Sequence, residues 1–210
     1  EARYVTQDTG KPPVDPGPKD ADIIWRYDMM DELGVFPHNA SNCNILMLGD
    51  LLYVCTSNGQ DWTHVNVPSP NSPSLIALDK KTGKLAGEDN AHIGPRIFHG
   101  QWSSPSAGQV NGQWQIFFGG GDGVLYAFNP TPEKGSGKPK PRILPPAPTV
   151  LPPTEGATEE TDINYLKAIW WFDCVPPEYK VKDGKPIKYP AADGPSEINS
   201  TPVFYKGRVY

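Results

Sequence analysis

Cysteine is scarce in this chain of 210 residues, where Cys43, Cys55 and Cys174 are the whole complement. No CxxCH stretch occurs and no two cysteines are adjacent, so covalent c-type haem and a vicinal disulfide are excluded. Long apolar runs are missing too, and none approaches the roughly 18 residues that a membrane-spanning helix requires. No window of a dozen residues has helical apolar periodicity, so helix is expected to be rare. Basic charge is short, with 19 Lys and Arg against 24 Asp and Glu and a net charge of -5, which leaves no stripe for nucleic acid. A Ser-His-Asp order, a phosphate-cradling glycine loop and a zinc spacing are all lacking. Gly119-Gly120-Gly121 lies between strands without the helix that a dinucleotide fingerprint needs. The sequence starts at Glu1 without an apolar leader, so an export signal is expected to be absent from this stretch or already removed.

Turn formers and repeats are abundant. Pro 25 and Gly 21 suit a loop-rich β protein. One phrase begins three times: an Asn or Ser, a short apolar strand, a Gly-centred turn and a second apolar strand. It runs from Asn44 through Gly49-Asp50 to Val54, from Ser104 through Gly112 to Phe118, and from Ser200 through Gly207 to Tyr210. After the first two copies, Ser57-Asn58-Gly59 leads by a loop to Leu75–Asp79, and Gly121-Asp122-Gly123 leads directly to Leu125–Asn129. Trp-bearing segments, Ile24–Asp28 and Trp170–Asp173, read as closing strands in which Trp25 and Trp171 pack between neighbouring sheets.

Four short strands per unit, recurring at about 64 residues from Gly59 to Gly123, predict an all-β chain with little helix. The expected architecture is a partial β-propeller of four-stranded antiparallel blades, because a lone small sheet cannot bury both apolar faces. Residues 1–28 are read as a tail and the last strand of a preceding blade, and 29–89 as a blade. Residues 90–173 are read as a second blade with a Pro-rich insertion at 130–165, and 174–210 as a loop and the first strands of the next. A chain with so few blades is expected to be one arc of a larger ring.

Strand order also sorts the loops. Residues 29–42, 58–73, 90–102, 119–123 and 174–198 are expected on one face, which then holds every histidine: His38, His64, His92 and His99. The insertion, with Pro145-Pro146-Ala147-Pro148 and Pro152-Pro153, has too few apolar residues for a core. It is expected to be an extended polyproline excursion, a linker or a docking strap. A two-residue Gly49-Asp50 turn pairs residue 44 with 55, so Cys43 should face away from Cys55. Buried free thiols are the expectation.

Ala77-Leu78-Asp79-Lys80-Lys81-Thr82-Gly83-Lys84 and Gly121-Asp122-Gly123-Val124-Leu125-Tyr126-Ala127-Phe128 resemble the repeat motifs of the PQQ-like propeller superfamily. The overall style, including His99-Gly100-Gln101-Trp102-Ser103-Ser104-Pro105, is similar to exported planctomycete-type bacterial members. The resemblance implies a periplasmic or cell-envelope location. Ser57-Asn58-Gly59-Gln60-Asp61-Trp62 is similar to the stretch of quinoprotein dehydrogenases whose Asn helps to hold Ca²⁺ beside the quinone, which would make Asn58 the oxygen ligand. Those enzymes place carboxylates where this chain has Gly100 and Ser103, so the catalytic base is missing from the pattern.

The sequence therefore reads as a non-catalytic protein-binding or assembly scaffold without a resident cofactor. Its expected partner is another protein or the rest of the propeller, with neither nucleic acid nor a membrane span involved. The alternatives are a PQQ- and Ca²⁺-dependent alcohol dehydrogenase, with Asn58, Trp62 and Trp102 at the cofactor, or a metal- or haem-binding electron-transfer component. For a metal the candidates are Asn58, His92 and His99, with Asp61, Asp89 and His64 on nearby loops.

Overall fold

The computed structural model describes residues 17–19, 24–135, 162–186 and 195–210. Strands dominate. The helices among the described residues are α1, Met29–Leu33, and two single 3-10 turns at Gly94–Arg96 and Pro177–Lys180.

The alternating pattern after Asn44 folds as read. Strand β1 (Leu46–Leu48) turns through Gly49, at φ 63°, into β2 (Leu51–Cys55), which pairs with β3 (Leu75–Asp79) and then β4 (Leu85–Asp89). Asp79 closes the β3–β4 turn by accepting hydrogen bonds from the Lys81 and Thr82 backbone N–H groups. The second sheet has the order β10-β7-β6-β5, built from β5 (Ser106–Val110), β6 (Gln113–Gly119), β7 (Val124–Phe128) and β10 (Ala168–Asp173). Strands β11 (Val181–Lys182) and β12 (Lys185–Pro186) form one hairpin, and β13 (Phe204–Tyr205) and β14 (Arg208–Val209) form another. None of these sheets is closed.

The two large sheets bury one core between them. Tyr53, Cys55, Leu75 and Ala77 come from the first, Ile116, Phe118, Val124, Tyr126 and Phe128 from the second, and Ile93 and Ile97 from the connecting loop. The contiguous run Ile116-Phe117-Phe118 is possible because the second sheet is covered on both faces. Phe117 points the other way and stacks on Phe204 at 5.5 Å between centroids. Gly108 lets that hairpin approach, since a Cβ there would meet the Phe204 ring.

Three expectations are corrected. Ile24–Asp28 forms no strand: Asp28 caps α1 by accepting from the Met30 and Asp31 N–H groups, and a strand without a sheet neighbour has nothing to pair with. Trp25 instead lies against Gly83 and donates its Nε1–H to the Lys80 carbonyl at 3.0 Å.

The ends of the 130–165 insertion are not free. Strands β8 (Glu133–Lys134) and β9 (Asn164–Leu166) extend the first sheet to six strands, with β9 parallel to β4. Its polyproline stretches lie outside the described residues.

Cys43 also departs from the reading. The register is as expected, with Leu46 opposite Tyr53, but β1 begins only at Leu46, so strict alternation does not govern residue 43. The Cys43 Sγ comes round to the Cys55 side, 4.0 Å from the Gln101 carbonyl that also accepts from Cys55 Sγ at 3.4 Å. All three thiols are free.

Candidate functional site

The loops assigned by strand order to one face are joined through their backbones. Gly59 N–H donates to the Phe36 carbonyl, Gln60 N–H to that of His99, Phe98 N–H to that of Gly121, and Ile198 N–H to that of Gly120. Two glycines permit this crowding. A Cβ on Gly59 would lie 2.7 Å from His38 Cβ, and one on Gly100 would lie 2.6 Å from the Trp102 ring.

Three imidazoles meet on this platform. Ring centroids are 4.4 Å apart for His38 and His99, and 5.0 Å from each of these to His64. One nitrogen donor from each ring lies within 4.8 Å of the other two. His38 is 2% exposed and held by its Nδ1–H, which donates to the Gln60 carbonyl at 2.8 Å. His99 turns its Nδ1 toward Glu197 Oε1 at 3.7 Å. The Nε2 atoms of both rings are buried without a hydrogen-bonding partner. Left so, each costs about 1–3 kcal/mol of desolvation. Burial, then the neighbouring His38, hold the His99 imidazole below its ordinary pKa, with Glu197 pulling the other way, so it is neutral near pH 7.

His64 is the exposed member, presented by a tight turn. Asp61 Oδ1 accepts from the Thr63 N–H and hydroxyl, Asp61 Oδ2 accepts from Asn66 Nδ2, and His64 itself takes φ 57°. Trp102 stands edge-on to His99 at 5.3 Å, and Trp62, 75% exposed, lies 6.4 Å from His38.

Of the residues picked out from the sequence, the structure brings His64, His99, Trp62 and Trp102 together around His38. His92 is outside the trio of close donors, and its carbonyl accepts from Arg96 Nη1. Asp89 caps the Ser74, Leu75 and Ala91 N–H groups, so its carboxylate serves the backbone.

Asn58 is fully buried beneath the platform, its Oδ1 accepting from Phe36 N–H at 3.0 Å and its Nδ2 donating to the Ser69 carbonyl at 2.8 Å. These residues do not fit a calcium and quinone site. Asn58 ties two loops together, position 100 has no room for a side chain, and Ser103 Oγ is turned to the Ser200 carbonyl.

Sequence reasoning did not single out His38, whose one signal was membership of the histidine-bearing loops. It also missed a buried ion pair behind the platform. Arg96 Nε donates to Asp122 Oδ2 at 3.0 Å, Arg96 Nη2 to the Tyr126 hydroxyl at 2.7 Å, and that hydroxyl to Asp122 Oδ2 at 2.6 Å. Desolvation raises the Asp122 carboxyl, with Arg96 opposing it. For Arg96, desolvation works against the charge and is outweighed by Tyr126 and Asp122.

No family model, curated protein or solved structure matches the chain. Among the described residues no helix is long and apolar enough to cross a membrane.

Proposed function

We propose that the chain is an arc of a β-propeller, a non-catalytic protein-binding or assembly scaffold of the cell envelope whose histidine-bearing loop face and Pro-rich strap at 130–165 are its contact surfaces. The observation that carries this reading is the contact between successive repeat starts. Asn44 N–H donates to Ser104 Oγ at 2.9 Å, and Ser103 Oγ donates to the Ser200 carbonyl at 2.9 Å. Strand β1 accordingly lies beside β5, and β5 beside β13. Sheets fanned about an axis approach one another most closely along one equivalent strand of each, and here it is the first strand of every repeat. The repeated relation, sheet one to sheet two and sheet two to the β13–β14 hairpin, supports a stack that continues in one rotational sense.

The donor set at Asn58, Gly100 and Ser103 supports binding over quinone-type alcohol oxidation, since it offers no carboxylate to take an alcohol proton. Adding pyrroloquinoline quinone and Ca²⁺ to the chain is expected to give neither a bound-quinone absorbance band nor alcohol-dependent dye reduction. A calcium-dependent band accompanied by dye reduction would overturn the non-catalytic reading. The scaffold role predicts that residues 130–165 are better protected from protease in the native assembly than in the isolated chain. Equal cleavage in both would remove the docking role.

A further inference from the structure

We infer that His38, His64 and His99 form a binding site for one divalent d-block cation of the Zn²⁺ or Co²⁺ type. The inference rests on the reading of the loop face as the binding surface, and it names what that surface holds.

Both inner rings turn Nδ1 toward an oxygen acceptor, within hydrogen-bond distance for His38 and at 3.7 Å for His99. A metal-ligating histidine usually donates its other ring N–H to a carbonyl or carboxylate, which fixes the tautomer and leaves the ligating nitrogen bare. His38 does so through Nδ1 and the Gln60 carbonyl, and His99 faces Glu197 with its Nδ1. In both rings the remaining Nε2 is the atom left buried and without a partner. Two imidazoles packed merely as apolar filling would have no reason to share this arrangement.

Donors within 4.8 Å of one another surround a point about 2.8 Å from each at most, against about 2.0–2.1 Å for a Zn–N bond, so closure needs each ring to move by less than about 1 Å. His64, on its exposed turn, can make its share of that motion and the half-buried His99 its own, while His38 is held from both sides. His38 N–H donates to the Ser57 carbonyl, and Gly59 leaves no slack behind the ring.

Three imidazoles suit Zn²⁺, Co²⁺, Ni²⁺ or Cu²⁺ and not Ca²⁺ or Mg²⁺, which take oxygen ligands. The outer side of His64 leaves a further coordination position toward solvent, as three-ligand sites do.

Co²⁺ titrated into the full 210-residue chain is the test, with visible d–d absorption for coordination and calorimetry for stoichiometry. One ion per chain is expected, bound in the micromolar range or tighter, displaced by Zn²⁺ and unaffected by Ca²⁺. His64→Ala, which removes an exposed ring and leaves the core alone, is expected to weaken binding at least about tenfold, and His64→Ala with His99→Ala to abolish it. Glu197→Gln is expected to weaken binding by about tenfold through loss of the anchor for His99, with the absorption spectrum retained.

A chain that is folded by circular dichroism yet gives no saturable Co²⁺ signal would overturn the inference. So would a signal that survives both histidine substitutions unchanged, which would place the ion elsewhere. Either outcome leaves the scaffold reading standing, because that reading is decided by the quinone and protease experiments.

Discussion

Gly59 and His38 touch so closely that residue 59 can carry no side chain: its Cβ would lie 2.7 Å from His38 Cβ and 3.0 Å from the His99 carbonyl oxygen. Neither neighbour is the free end of a flexible side chain, so relief has to come from the backbone of one loop or the other. Gly59→Ala is therefore expected to destabilise the fold by about 1–3 kcal/mol, the usual cost of overpacking. It should also weaken Co²⁺ binding, because the two inner rings are forced apart. Urea denaturation and the cobalt titration read the two effects, and an unchanged urea midpoint would contradict the contact.

Asn58 separates the structural account from a calcium account in one experiment. Its amide serves the Phe36 N–H and the Ser69 carbonyl, both in segments that border the histidine platform. Asn58→Ala strands both groups, and about 1–3 kcal/mol of stability is expected to go with them. A residue whose task is to ligate Ca²⁺ would instead leave the stability of the metal-free chain unchanged. Thermal or chemical denaturation in the presence of a chelator decides between these outcomes.

The strands were legible because their signals are local. Alternation from Leu46 to Cys55 about a positive-φ glycine, and the Asp79–Gly83 turn, specify pairing within a few residues. The grouping of the histidine loops followed from strand order alone. What stayed hidden depends on contacts between distant segments. His38 meets His99 only because the Pro37–Asn58 bridge and the Gly59 and Gln60 hydrogen bonds draw three loops into one surface. The apolar residues before Asp28 look β-like in the sequence, whereas the capping Asp28 and the following Gly34, at φ 63°, define a one-turn helix. Strand alternation does not reach Cys43, because the strand begins only at Leu46.

Arg96 and Asp122 are expected to behave as a buried pair. Removing one partner leaves the other charge in the core, so Arg96→Met should cost about 3–5 kcal/mol. The double variant Arg96→Met with Asp122→Leu should lose less than the single, because the stranded carboxylate is gone along with its partner. Equilibrium unfolding in urea measures both. Equal losses in the two variants would mean that the carboxylate has found another partner.

Cys43 should lose its proton before the other thiols do. The neighbouring Cys55 thiol is the main cause holding its pKa below the ordinary cysteine value, against partial desolvation, with the Ser57 hydroxyl adding to the effect. Cys55 is fully buried and raised well above that value, first by desolvation. Cys174 is raised by desolvation and then by the nearby carboxylates Asp173 and Asp122, against a backbone hydrogen bond at Leu125. Only the thiolate is alkylated at an appreciable rate, and the thiolate fraction grows as pH rises through the pKa. The rate of iodoacetamide labelling at Cys43 is therefore expected to reach its half-maximum at a lower pH than at Cys174, while Cys55 stays unlabelled until the chain unfolds. Cys55→Ala removes the neighbouring thiol and should move the Cys43 midpoint upward. Peptide mass spectrometry across a pH series measures each site separately. A midpoint that stays put in Cys55→Ala would show that the Cys55 thiol is not what favours the Cys43 thiolate.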